Sequence, residues 1–187
     1  MTTQQRPAGQ ARPRTRTPGA NPGPLSPMEV LDGDHRMMVV MLEKLCNLVK
    51  EGNDFGDPAV RAQAREVYAF FGEHARRHHA DEELHVFPGL LNSSDANLRA
   101  QAARLRQDHG WLEQDWLEMA PTVSAIVEGI GGVDDAVLRE AVDVFSALYQ
   151  EHIVLEESIA YPEARRLQAA EEAGRVMRKA RALLDEA

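Results

Sequence analysis

The chain repeats itself at an offset of 74 residues, and what repeats is chemically expensive. Asp34-His35 returns as Asp108-His109, His78 as His152, Glu82-Glu83 as Glu156-Glu157, and Phe87-Pro88 as Tyr161-Pro162. Arg65-Glu66 and Phe71 return as Arg139-Glu140 and Phe145. In each copy a lone histidine is followed 43 residues later by His-x-x-x-Glu. Two copies of so long a period suit a duplicated helical hairpin closing into one bundle, not a solenoid.

The hydrophobic pattern supports that reading. Four long amphipathic segments are predicted. The first runs from Ser26-Pro27 to Lys50, with His35, Met38, Leu42, Leu45 and Val49 inward. The second starts at Asp57-Pro58, turns Val67, Phe71, His78, Glu82 and Val86 inward, and is disturbed near Pro88. A third, from about Ser94, presents Leu98, Ala102, Leu105, His109, Leu112 and Trp116; Pro121 kinks it and Gly129–Gly132 ends it. The fourth spans about Asp134 to Ala169, with Ala141, Phe145, Leu148, His152, Leu155, Glu156 and Ile159 inward. A short C-terminal helix follows, at about Glu171 to Leu184. The expected fold is all-α: an up-down four-helix bundle of two duplicated hairpins over residues 28–187, preceded by a tail.

Charge separates tail from body. The net charge is −9, but residues 1–27 carry four arginines (Arg6, Arg12, Arg14, Arg16) and no acid, which leaves −13 on the remainder. A Pro-, Gly- and Thr-rich basic tail reads as disordered. An acidic body argues against nucleic acid as a partner, and no apolar run is long enough for a membrane span. The single cysteine, Cys46, permits no internal disulfide and sits among Leu42, Leu45 and Val49 as a buried thiol. With no leader-like segment at the start, the expected location is the cytoplasm.

Residues four apart share one helix face. His78 with Glu82, and His152 with Glu156, therefore aim an imidazole and a carboxylate at one level, and His35 and His109 add a nitrogen each from the other helices. One such pair is a weak signal. Six inward charged or polar groups at a repeated spacing are not, because such groups are rarely buried unpaired. Four imidazoles and two carboxylates suit two medium-hard cations: iron first, manganese second, and zinc less naturally, since no thiolate helps. A ferritin-like arrangement needs Glu-x-x-His on two helices. Glu82-x-x-His85 fits once, but its counterpart ends in Ile159.

The chain resembles the hemerythrin family in its bacterial HHE cation-binding branch, over about residues 28–165. The matching stretches are Asp-His at 34–35, His-His-Ala-Asp-Glu-Glu at 78–83 followed by Val-Phe-Pro, Asp-His at 108–109, and His-Ile-Val-Leu-Glu-Glu at 152–157 followed by Tyr-Pro. The resemblance implies two irons with an oxo or hydroxo bridge. Glu82 and Glu156 would bridge them, His35 and His78 would serve one iron, and His109 and His152 the other. It also implies dioxygen, nitric oxide or peroxide as small-molecule partner, for binding, sensing or detoxification; the alternatives are a peroxide-decomposing enzyme or an iron-homeostasis protein. Oxygen-carrying members have a further histidine one turn after the third-helix ligand, where this chain has Glu113, and they use His-x-x-x-x-Asp on the last helix. Glu113 is a candidate ligand that would add negative charge, stabilise the ferric state and disfavour reversible oxygen carriage.

Other residues near the motifs receive less. His79 and Glu83 form an alternative pair, but position 79 corresponds to Ile153, so the 78/82 frame is preferred and His79 is placed outside the ligand set. His74 and His85 are channel-lining or structural, and Asp34, Asp108 and Glu157 are expected at caps or on the surface. Tyr149 and Tyr161 are expected to be core packing.

Overall fold

The computed structural model describes residues 27–50 and 53–185. Among these there is no strand, and the structure is a helical bundle. Helix α1 is Pro27–Leu48, α2 Pro58–Ala69, α3 Ala75–His85, α4 Phe87–Leu91, α5 Ala96–Glu128, α6 Asp135–Leu155 and α7 Tyr161–Asp185. Two π-helical turns, Phe70–His74 and Glu156–Ala160, join α2 to α3 and α6 to α7 without a break. Such turns recur at functional sites, and here both lie within a few residues of a His-x-x-x-Glu motif.

Short-range chemistry sets the helix starts. Asp57, Asp95 and Asp134 each cap a helix by accepting hydrogen bonds from backbone N–H groups two or three residues on. The cap of α5 is thus Asp95, beside the expected start near Ser94. Gly129 ends α5 with φ of 70°, a left-handed conformation that glycine adopts without penalty. Pro121 is accommodated inside the single helix α5. The disturbance expected near Pro88 is the junction of α3 and α4. Of the expected tail, residues 1–26, the Ser26 cap among them, lie outside the described residues, and Pro27 is the first residue of α1.

Two sequence expectations change. The C-terminal helix is not separate, because α7 runs unbroken through residues 169–171. The Ala169-Ala170-Glu171-Glu172-Ala173 stretch favours helix throughout, and the cost of Gly174, about 1 kcal/mol, does not break it. The inward stripe of the fourth segment is also displaced. Leu138, Val142, Tyr149, Ile153 and Ala160 are buried with Phe145, His152 and Glu156, whereas Ala141, Leu148, Leu155 and Ile159 are half-buried at the margin. The stripes of the first three segments are buried as read.

Helices α1, α2, α5 and α6 touch in a closed cycle: α1 on α2, α2 on α5, α5 on α6, and α6 back on α1. The interior is apolar at two levels. One cluster gathers Leu42, Leu45, Phe71, Trp116, Phe145 and Tyr149, and the other Leu31, Phe87, Leu90, Leu105 and Tyr161. Along α1, α3 and α5 the inward histidines and glutamate fall between residues of the two clusters, and His152 and Glu156 lie where the fourth segment passes from one cluster to the other. A polar layer is thereby sealed between two apolar ones. No described helix is long and apolar enough to cross a membrane.

Candidate metal centre

The polar layer holds His35 from α1, His78 and Glu82 from α3, His109 from α5, His152 from α6, and Glu156, the first residue of the second π turn. All six are nearly inaccessible, and the two glutamates are fully buried. Their ligand-capable atoms form two overlapping groups, His35–His78–Glu82–Glu156 and Glu82–His109–His152–Glu156, within each of which every atom lies within 4.8 Å of the others. Both glutamates belong to both groups.

The carboxylates straddle the halves. Glu156 puts Oε2 3.2 Å from His35 Nε2, and Oε1 3.0 Å from His152 Nε2 and 3.8 Å from His109 Nε2. Glu82 places Oε2 3.3 Å from both His78 Nε2 and His109 Nε2. The Nε2 atoms of His78, His109 and His152, Oε2 of Glu82 and both oxygens of Glu156 are buried without a hydrogen-bond partner. So many converging orphans would be costly in a purely structural core. They are, however, the donor set that a pair of cations would satisfy, and the residues fit a metal centre.

Behind the ring stands a second layer, and it too repeats at 74. Asp34 accepts from His78 Nδ1 at 3.4 Å, and Asp108 faces His152 Nδ1 at 3.7 Å. Glu83 accepts from His109 Nδ1 at 3.0 Å, and Glu157 from His35 Nδ1 at 3.2 Å. Each imidazole thus presents Nε2 to the centre and Nδ1 to a carboxylate, an arrangement that fixes ring orientation and raises ligand basicity. The expectation of a cap or surface role is corrected for Asp34 and Asp108; Glu157 is on the surface, with 56% of its side chain exposed, and still reaches His35. Each reaches an imidazole on a neighbouring helix, not the histidine beside it in sequence. His74 in turn hydrogen-bonds Asp34 at 3.0 Å, whereas His85 is exposed and outside the centre. Changing Asp108, itself 1% exposed, to alanine is expected to weaken cation binding about 10–100-fold. Chelator competition measures this, with His85→Ala as reference, and parent-like resistance would show that Asp108 does not act through His152.

Glu113 is not brought to the ring. Its carboxylate pairs with Arg76 at 2.8 Å on the outer face, with 41% of its side chain exposed. The charge argument against oxygen carriage built on Glu113 lapses with it. Conversely, three residues read as peripheral or as packing reach the centre. Tyr161 Oη donates to Glu82 Oε1 at 2.5 Å and stands 3.1 Å from His35 Nε2. His79 is buried, and its ring stacks on His109 at 4.0 Å. Tyr149 Oη lies 3.1 Å from His79 Nε2.

The electrostatics follow from the enclosure. Burial works against protonated imidazoles, yet Glu156 and Glu82 outweigh it and raise His109 to about 10. Burial is likewise outweighed at His152, raised to about 9 by Glu156 and Asp108, and His35 is raised by Glu156 and Glu82. Burial would lift Glu156, but His152, His109 and His35 hold it well below the usual carboxylate range. His79 moves the other way: burial, then His109, His152 and His78, hold it well below the usual histidine value, so it is neutral. Burial first, then Glu82 and Glu156, push the Tyr161 and Tyr149 phenols up, so both stay protonated.

No curated protein and no solved structure matches the chain. The model of the hemerythrin HHE cation-binding domain matches residues 26–164, and the chain belongs to that family, a metal-binding one.

Proposed function

We propose that this chain is a non-heme di-iron protein whose centre meets dioxygen, nitric oxide or hydrogen peroxide. One observation carries the reading: Glu156 turns one oxygen toward His35 and the other toward His152. A carboxylate so divided is what a bridge between two ions requires. In this reading His35 and His78 hold one ion, His109 and His152 the other, and Glu82 and Glu156 are shared. Imidazole and carboxylate without thiolate favour iron, with manganese next and zinc behind. The closed cycle of helices is then an up-down four-helix bundle of two duplicated hairpins, with residues 28–187 as its body and 1–27 as a separate basic tail. The recurrence of the outer carboxylates at 74 residues supports the duplication.

When bound, the iron pair supplies redox chemistry toward a small oxygen or nitrogen ligand. The chain's own contribution is to enclose, orient and protonate. Two apolar layers exclude bulk water. A narrow cavity lined by Phe71, Ala75, Leu112, Trp116 and Phe145, and by the Arg76–Glu113 pair, reaches His79 and Tyr149. Tyr161 keeps a proton at Oη beside Glu82 and is a hydrogen-bond donor inside the centre. That donor favours the second reading, an enzyme that decomposes hydrogen peroxide.

The test is metal analysis and an optical spectrum of the purified protein, followed by addition of peroxide, oxygen and nitric oxide. Two irons per chain are expected, with a spectrum that responds to at least one of the three. A single equivalent, or mainly zinc, sinks the di-iron reading. Oxygen release from peroxide at many turnovers per chain decides for the enzyme.

A further inference from the structure

Each half of the repeat leaves a groove that leads down to the polar layer. One lies between α3 and α5 and ends on His109 and His79; the other lies between α1 and α6 and ends on His35. Their volumes are alike, about 510 and 500 Å³. Every residue lining the α1–α6 groove has its counterpart, 74 positions away, in the lining of the other. The carboxylates at the floor are the same, Glu157 on one side and Glu83 on the other. The walls are not. Where one groove has Arg36 and Val154 the other has Gly110 and Ala80, and Val39 and Gln150 are matched by Glu113 and Arg76. Packing does not require Gly110, since a Cβ there would meet nothing within 4 Å. Glycine also weakens a helix; what it does at this position is keep the wall of the groove low.

Of the two grooves, only the one between α3 and α5 shares walls with the narrow cavity at His79 and Tyr149: Arg76, His79 and Glu113 line both. Glu113 is four residues after His109 and shares its helix face, but Arg76 draws its carboxylate outward. The ion pair therefore stands on the partition between groove and cavity. With 57% and 41% of their side chains exposed, the partners are held together only weakly.

We propose that the α3–α5 groove is the entrance by which small polar molecules, a peroxide or a monoanion of a few atoms, reach the centre, with the Arg76–Glu113 pair as its latch. The destination rests on the di-metal reading above; the path does not. Entry is then one-sided although the halves repeat: molecules arrive beside His109 and His152, and the α1–α6 groove, walled by Val39, Ile153 and Val154, does not conduct. Charge fits the same direction. Arg76, Arg77 and Arg106 outnumber Glu83 and Glu113 on the walls of the entrance, in a body that is otherwise acidic.

Two measurements on the full-length protein test the entrance, and the first needs no metal. In apoprotein carrying Cys46→Ser and Ala75→Cys, the thiol at position 75 lines the inner cavity, and mass spectrometry times its labelling by a small methanethiosulfonate. Adding Glu113→Ala, which releases the latch, should speed labelling several-fold. Adding Gly110→Val or Ala80→Val, which raise the wall, should slow it several-fold, and Val154→Ala in the other groove should change nothing. In iron-loaded protein without the added thiol, stopped-flow rates of azide binding should follow the same order. Circular dichroism checks that each variant is folded. Rates indifferent to Glu113→Ala and to both wall variants, or rates that rise with Val154→Ala instead, overturn the entrance. Wall variants that act while Glu113→Ala does not would show a path without a latch, and the proposal as stated is wrong. A chain that takes up no iron overturns the di-iron reading instead, and the thiol rates then judge the entrance by themselves.

Discussion

Glu156→Ala is expected to leave less than about a tenth of the parental iron in the purified protein, by the general scale of ligand loss compounded over two ions. Glu156 touches imidazoles from α1, α5 and α6, so its removal takes a ligand from both ions at once. It also takes away the main counter-charge for His35, His109 and His152. Loss of one partner from such a buried set is far more costly than loss of an exposed pair. Glu156→Gln keeps the volume and one oxygen but not the charge, and should recover only a minority of the metal. Glu82→Ala should fall close behind, because Glu82 faces His78 and His109 through a single oxygen while its other accepts from Tyr161. His85→Ala should be indistinguishable from parent. The measurement is iron per folded chain after purification, with circular dichroism confirming helicity. Two irons retained in Glu156→Ala would remove the bridging role on which the proposed function stands.

Much of this centre was legible from spacing alone. The 74-residue offset and the i, i+4 rule placed all six ring residues inward, and the apolar stripes of the first three segments set the levels of the layers around them. What was misread shares one cause: each decision depended on contacts between helices. Asp34 and Asp108 were judged against the histidines next to them in sequence, whereas they serve His78 and His152 across the bundle. Glu83 carries no signal of its own except its counterpart Glu157. His79 was placed outside the ligand set because Ile153 stands opposite it in the repeat; its burial was readable from that apolar counterpart, since Ile153 is 6% exposed and His79 8%. Similarly, Phe87 stacks on His109 as Tyr161 does on His35, so the ring position of Tyr161 was readable. The consequence of its hydroxyl was not. The fourth segment's stripe was displaced already at Ala141 and Leu148, before the π turn at Glu156–Ala160, because several of its neighbouring positions are apolar and only packing against α1 and α5 selects among them.

Removing the metal is expected to lower the Tm by about 10–15 °C at neutral pH. A ligand at a thousandfold excess over Kd adds about 4 kcal/mol, and each kcal/mol moves a chain of this size by about 2–4 °C. The pH dependence should then separate the two forms. In the apoprotein, His109 and His152 are raised to about 10 and about 9. A raised folded-state value contributes stability that is fully present below the unfolded histidine value, near 6.5, and that drains away as pH climbs through 9 and 10. Glu156 acts oppositely, its depressed value contributing stability above the ordinary carboxylate range that is lost as pH falls. Apoprotein Tm should therefore peak between about pH 5 and 6.5 and fall steadily to pH 10. Metal-loaded protein should not follow, because cations replace the protons on the same nitrogens and bind more tightly as those protons leave. The gap between the two melting curves should widen from pH 6 to pH 9, and loading the apoprotein should release protons that a pH indicator counts. Parallel curves across that range, with no proton release, would mean that the metal sits elsewhere than on His109, His152 and Glu156.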